Sequence, residues 1–338
     1  MIAPILLNIL GPILLMVALG ALLRRKFGID LATLSKLNIY LLTPAFIFRH
    51  VAYSKLTWAS MGGIMAITLT QVFTLGILIW GIGVALGVSR KTLCAIALAV
   101  MFYNSGNYGL ALAELAYPSG DAVASAVSSG AVSSGVVKNG GAAQAFVVLT
   151  QNVLTFTVGL AIAAWGGTSS NLPQIVVRIL RLPVLYTLLA AVGAKVWLNA
   201  DVSRQLPAII ERASAYLSDG LIPIALITVG VQLAANPRWP RWRPLSLALF
   251  LRLIVAPIQM AGLLWMFHKF GVRPLDLWPW PAELLILTAA VPTAINTLLL
   301  TLELGGDADL AADTVFGSTI FSCVTITGWL IVIRWMTG

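Results

Sequence analysis

The predicted fold class is an all-α polytopic membrane protein, with ten transmembrane helices arranged as two inverted five-helix repeats. Three observations carry that reading. Of 338 residues, 59% are hydrophobic and 10% charged, against about 25% charged in ordinary soluble domains. Apolar runs recur along the whole chain, most reaching the ~20 residues that a helix needs to cross hydrocarbon. Short sequence motifs also return in the same order in the two halves. Mean hydropathy, at +0.94, agrees, and the strict alternation expected of a membrane β-barrel is not found.

Bounded by polar or Gly/Pro-rich breaks, the expected spans cover 2–23, 32–52, 60–87, 92–117, 142–165, 175–198, 206–234, 245–268, 282–304 and 309–335. The first run has no basic start and is followed by Arg24, Arg25 and Lys26 instead of a small-residue cleavage site. It therefore reads as a span and not as a secretion signal. The second and seventh spans each place a proline before an apolar run, LLTPAFIF around Pro44 and GLIPIALI around Pro223. The fourth and ninth share N-x-x-L-x-x-x-E-L, beginning at Asn107 and at Asn296. The fifth and tenth align as AQAFVVLTQN and DTVFGSTIFS. Five spans per repeat is an odd number, so the second repeat, 166–338, enters the membrane from the side opposite the first, 1–165. Many secondary transporters use that arrangement for alternating access.

Placing the loops after spans 1, 3, 5 and 7 in the cytoplasm collects eleven basic residues there against nine outside. The RRK run directly after the first span weighs most, and it puts both termini on the outer side. A net charge of +9 suits a membrane surface, and nothing in the sequence points to nucleic acid. The perfect tandem AVSSGAVSSG at 126–135, within a Gly/Ser-rich stretch from Ser119 to Gly141, reads as a flexible insertion, with a lid as the sharper alternative.

YNSGNYGL at 103–110 and AVPTAINT at 290–297 interrupt the fourth and ninth spans with polar residues. Irregular backbone at membrane depth survives only where protein or a water-filled cavity satisfies it. Pro292 cannot donate to a helix ladder, so the ninth span should break there, and Gly106 and Gly109 permit the same in the fourth. Each break exposes a half-helix N-terminus, with free N–H groups and partial positive charge, near mid-membrane. Such ends bind anions. Asn104, Asn107 and Asn296 supply amides beside them.

Charged residues within spans are expensive and suggest function. On that basis Asp219 and Arg252 are candidates for coupling, Arg252 either meeting an anion or snorkelling to a face. Glu114 and Glu303 occupy equivalent places past the paired asparagines and read as solvated helix ends or as coupling groups. Cys94 and Cys323 lie in apolar runs and His50 and His268 in separate segments, so neither a metal centre nor a cofactor is expected. An intramembrane enzyme would need paired carboxylates or a Ser/His set at depth, and no histidine stands in either break.

NIYLLTPAFIFRHVA, YNSGNYGL, FVVLTQNVLTFTVG and AVPTAINT together resemble the auxin efflux carrier family, which includes the plant PIN exporters and bacterial permeases for small organic anions. The resemblance covers all ten spans. It implies a scaffold of spans 1, 2, 6 and 7, through which homodimers form. It also implies a mobile domain of spans 3–5 and 8–10, with helices 4 and 9 broken and crossed at the substrate, moving as an elevator. Where plant members carry Pro-Asn at the first crossover, Tyr103 and Asn104 stand here. At the second, Pro292 matches and Thr293 follows. The family brings span five near the crossover, which adds Gln151 and Asn152 to the expected site. Phe46, like Tyr40 and Phe48, faces either the pocket's scaffold wall or lipid. A sodium-coupled carrier of the bile-acid type and a non-transporting sensor are the alternatives.

Overall fold

The computed structural model describes residues 11–54, 56–118, 139–167, 183–200, 205–235 and 241–337. Regular structure among them is helical apart from one isolated antiparallel pairing, Tyr103 with Thr293. The helices are α1 (Gly11–Phe27), α2 (Leu31–Ala52), α3 (Trp58–Ala85), α4 (Arg90–Met101), α5 (Asn107–Ala116), α6 (Gly140–Gly166), α7 (Pro183–Asn199), α8 (Ala208–Ala235), α9 (Trp242–Lys269), α10 (Ala282–Ala289), α11 (Ile295–Glu303) and α12 (Ala308–Thr337). Single π-helical turns interrupt α2 at Asn38–Leu42, α6 at Thr155–Gly159 and α9 at Leu251–Val255.

Six of these helices, α2, α3, α6, α8, α9 and α12, are long and apolar enough to cross a membrane unbroken. They correspond to the expected spans two, three, five, seven, eight and ten. The expected first and sixth spans begin in residues outside those described. The expected fourth and ninth are each divided into two short helices, α4 with α5 and α10 with α11. Large apolar side chains such as Ile77, Trp80, Val324 and Trp335 are exposed on the long helices, as lipid-facing surfaces require. This is a multi-pass helical membrane protein. The Gly/Ser-rich insertion falls outside the described residues up to position 138, so neither reading of it is examined by the structure.

The chain forms two compact units. Unit 1 comprises residues 1–57, 106–149 and 180–237, and its centre is the packing of α1 on α8. A Cβ at Gly20 would overlap the Ile227 carbonyl, and one at Gly230 the Val17 carbonyl. Glycine at both positions lets the two backbones approach as small residues do in membrane helix pairs. Helix α2 packs on α7 and α8. There the buried Asn38, within the π turn, donates to Thr228 Oγ1 at 2.9 Å.

Unit 2 comprises residues 58–105, 150–179 and 238–338. Its apolar core joins Val72, Leu75 and Ile79 of α3 to Leu98 and Val100 of α4, Leu160 of α6, Leu251 of α9 and Leu300 of α11. At one end the Arg241 guanidinium meets Asp307 at 2.6 Å, while Asp307 also accepts from the Leu310 N–H and so caps α12. The core sets α11 against α4, while α10 packs on α9 and α12.

Candidate functional site

Helix α4 stops at Met101 because Phe102 turns extended, with φ −116° and ψ 112°. Helix α10 stops at Ala289, two residues before the proline-preceding Val291, a position biased against helix. The two breaks then pair with each other. Asn104 N–H donates to Pro292 O at 2.8 Å and Ala294 N–H to Phe102 O at 3.2 Å, flanking the Tyr103–Thr293 bridge. Proline's missing N–H costs nothing in this register, since only its carbonyl is used.

Every terminal carbonyl of a broken helix needs a donor when water is excluded. In α4, Leu98 O accepts from Phe102 N–H at 3.2 Å, Ala99 O from the Thr293 hydroxyl at 2.8 Å, and Val100 O from Arg252 Nη1 at 2.7 Å. In α10, Thr288 O accepts from Val291 N–H at 3.2 Å, and Ala289 O from Arg252 Nη2. Arg252 Nε donates to Val291 O at 3.0 Å. Thr293 N–H, in turn, donates to Ser318 Oγ of α12 at 3.0 Å. Side chains from α9 and from the second break thereby take up the carbonyls of Ala99, Val100 and Ala289.

Arg252 has no exposed surface and sits within the π turn of α9. Its guanidinium lies 4.6 Å from the centroid of the Tyr103 ring, a cation–π contact. It reaches neither an exposed helix end nor, among the described residues, a carboxylate. The Tyr103 hydroxyl faces the Gln151 side chain of α6. Neither group closes a well-formed hydrogen bond there, although Gln151 is 2% exposed. A buried amide and phenol left in that condition are rare and ask for a further partner.

Helix α11 begins beside them. Its N-cap, Ala294, has no side chain to cap the first turn, so the leading N–H groups of Ile295 and Asn296 point out of the helix unsatisfied by it. Asn296 and Asn104 are half-buried, as is Asn152, next to Gln151. The π turn of α6, one turn beyond Gln151, packs on α11. Unit 2 thus brings together Asn104, Gln151, Asn152, Pro292, Thr293 and Asn296 of the residues expected from the sequence. Tyr103, Ser318 and the carbonyl-binding role of Arg252 were not expected. Tyr103 stands in the first break, which was the one signal pointing to it.

The remaining expected residues lie elsewhere. Asn107 opens α5 in unit 1, with Gly106 as a cap that offers no side chain. Phe46 is buried in unit 1, its ring stacked on His50 with centroids 3.9 Å apart. His50 Nδ1 lies 4.0 Å from Glu114 Oε2, and a Cβ at Gly141 would press on both. Asp219 lies on an exposed face of α8. Glu303 closes α11, with its side chain outside the described residues.

Among the described residues, six membrane-length helices and two interrupted spans define the class as an integral membrane protein with non-helical backbone at two breaks. Comparison with known families identifies which kind. Residues 6–330 match the family model described as membrane transport protein, and the chain belongs to that family, the auxin efflux carriers. A protein of Rhizobium meliloti (strain 1021) named "Putative malonate transporter" is 26% identical over 315 residues, 91% of this chain and 88% of that one. An "Uncharacterized transporter" of Methanothermobacter thermautotrophicus is 28% identical over 188 residues, 54% of this chain and 56% of that one.

Proposed function

We propose that the chain is a secondary carrier of a small dicarboxylate such as malonate, bound at the paired breaks of unit 2. The observation that carries this reading is the buried Gln151 amide and Tyr103 hydroxyl, which face each other without closing a well-formed hydrogen bond, beside the uncapped start of α11. One carboxylate accepts from the N–H groups of Ile295 and Asn296 and from the Asn296 amide, favoured by the positive end of the helix dipole. The second accepts from Gln151 and Tyr103. Membership of a transport family and the malonate assignment of a relative covering most of the chain support the substrate class.

The carrier we propose takes the arrangement expected from the sequence, with two inverted five-helix repeats, helices 4 and 9 crossing at the breaks, scaffold-mediated homodimers, both termini outside, and elevator-type alternating access. Its physical logic is that backbone irregularity at depth is retained where it handles a polar solute.

Uptake of radiolabelled malonate into proteoliposomes, with and without a membrane potential, tests the reading. Parent protein is expected to accumulate malonate. Asn296→Ala removes a hydrogen bond to a charged group, worth about 1.5–3 kcal/mol, so half-saturation should rise roughly ten- to hundred-fold. Malonate flux equal to that of empty liposomes sinks the proposal.

A further inference from the structure

We propose that Arg252 decides the sign of the charge this site accepts, acting on the substrate through the field of the breaks and not by contact. The inference rests on the anion site proposed above. Three half-helix ends meet in unit 2 at the breaks: the C-termini of α4 and α10 and the N-terminus of α11. A helix C-terminus carries about −0.5 of an elementary charge and an N-terminus about +0.5. Within unit 2 these ends sum to roughly −0.5, and the N-terminus of α5, which opens three residues past Asn104, adds about +0.5, so that without Arg252 the breaks favour neither sign.

Arg252 tips that balance. The guanidinium binds the carbonyls of Val100, Ala289 and Val291, which are the very groups that carry the negative ends of α4 and α10. Adding one positive charge brings the sum to roughly +1, which favours an anion at the α11 N-terminus. The Tyr103 ring lies over the guanidinium and turns its own hydroxyl toward Gln151. Arg252 therefore presents charge, and Tyr103 presents the hydrogen-bonding group.

A capping role alone does not explain an arginine here. Burying an ion is costly, and uncharged donors of similar volume satisfy carbonyls as well. Elsewhere in the same breaks neutral donors do that work: Thr293 holds Ala99 O, and backbone N–H groups hold Phe102 O and Pro292 O. Arg252, by contrast, has no counter-carboxylate among the described residues, although it is wholly buried. The charge is balanced in part by helix ends, and the bound substrate completes the balance.

The test compares malonate, a dianion at pH 7.5, with its half-amide malonamate, a monoanion of nearly the same shape, by calorimetry on purified protein. Coulomb energy scales with ligand charge. Arg252→Gln should therefore weaken malonamate about fivefold and malonate about twenty-five-fold, narrowing the preference between them about fivefold. Arg252→Lys keeps a positive charge but loses the planar fork of donors. Its preference for malonate over malonamate should stay near the parental value, whatever happens to either affinity alone.

Equal weakening of both ligands in folded Arg252→Gln means that the residue only caps helices, and it overturns the inference while leaving the site standing. If Arg252→Gln is not monodisperse, the neutral Arg252→Met variant decides: a malonate-to-malonamate affinity ratio at the parental value overturns it. Failure of the parent to bind either ligand is a different result, and it removes the anion site itself.

Discussion

Thr293→Val probes the seam between the two breaks with little change of shape. The wild-type hydroxyl donates to Ala99 O at 2.8 Å, and the residue is 1% exposed. Ala99 cannot recover an intrahelical donor, because the N–H four residues on belongs to Tyr103, which has left the helix. Valine fills the space but leaves that carbonyl buried and unpaired, at a cost of about 1–3 kcal/mol. For a chain of this size each kcal/mol corresponds to about 2 °C in melting temperature, so a fall of roughly 2–6 °C is expected. Differential scanning fluorimetry in detergent measures it. Ser318→Ala removes the acceptor of the Thr293 N–H and should cost a similar amount. Since both substitutions loosen one residue, their effects should be non-additive by at least about 0.5 kcal/mol. A valine variant with the parental melting temperature would refute the accounting of half-helix carbonyls given above.

Gln151→Leu should separate stability from binding. Putting an apolar side chain of similar volume in place of a buried amide that closes no well-formed hydrogen bond is near neutral or stabilising in the empty protein, yet malonate binding should weaken at least about tenfold; a clear loss of melting temperature without ligand would show that the amide already has a structural partner. Gly230→Ala tests the α1–α8 contact: the added methyl overlaps the Val17 carbonyl, and overpacking of this kind costs typically about 1–3 kcal/mol. A drop in melting temperature is expected, with malonate affinity per folded molecule retained, because the glycine lies in unit 1 and the proposed site in unit 2. An unchanged melting temperature contradicts the close approach.

Much of the architecture was legible residue by residue. Hydropathy set out the membrane-length helices, because partition into hydrocarbon is a sum over local side chains. Pro292 announced the second break, since a proline in a helix interior removes a ladder hydrogen bond. Helix α8 nevertheless runs on through Pro223, which shows that the polar neighbours Thr293 and Asn296 were part of the signal. Asn104, Gln151, Thr293 and Asn296 could be nominated because polar groups in an apolar run carry their cost in the sequence itself. Partnership was not legible. Arg252 looked like a charge near a span end, and only the tertiary structure carries it onto Val100, 152 positions earlier, and Val291, 39 positions later. Tyr103 looked like a missing proline, and the fold makes it the ring above that guanidinium. Glu114 and His50, distant in sequence, became neighbours in unit 1. Local composition determines where a backbone must break. Which donors answer the broken ends depends on side chains delivered from other helices, and that is decided only by packing.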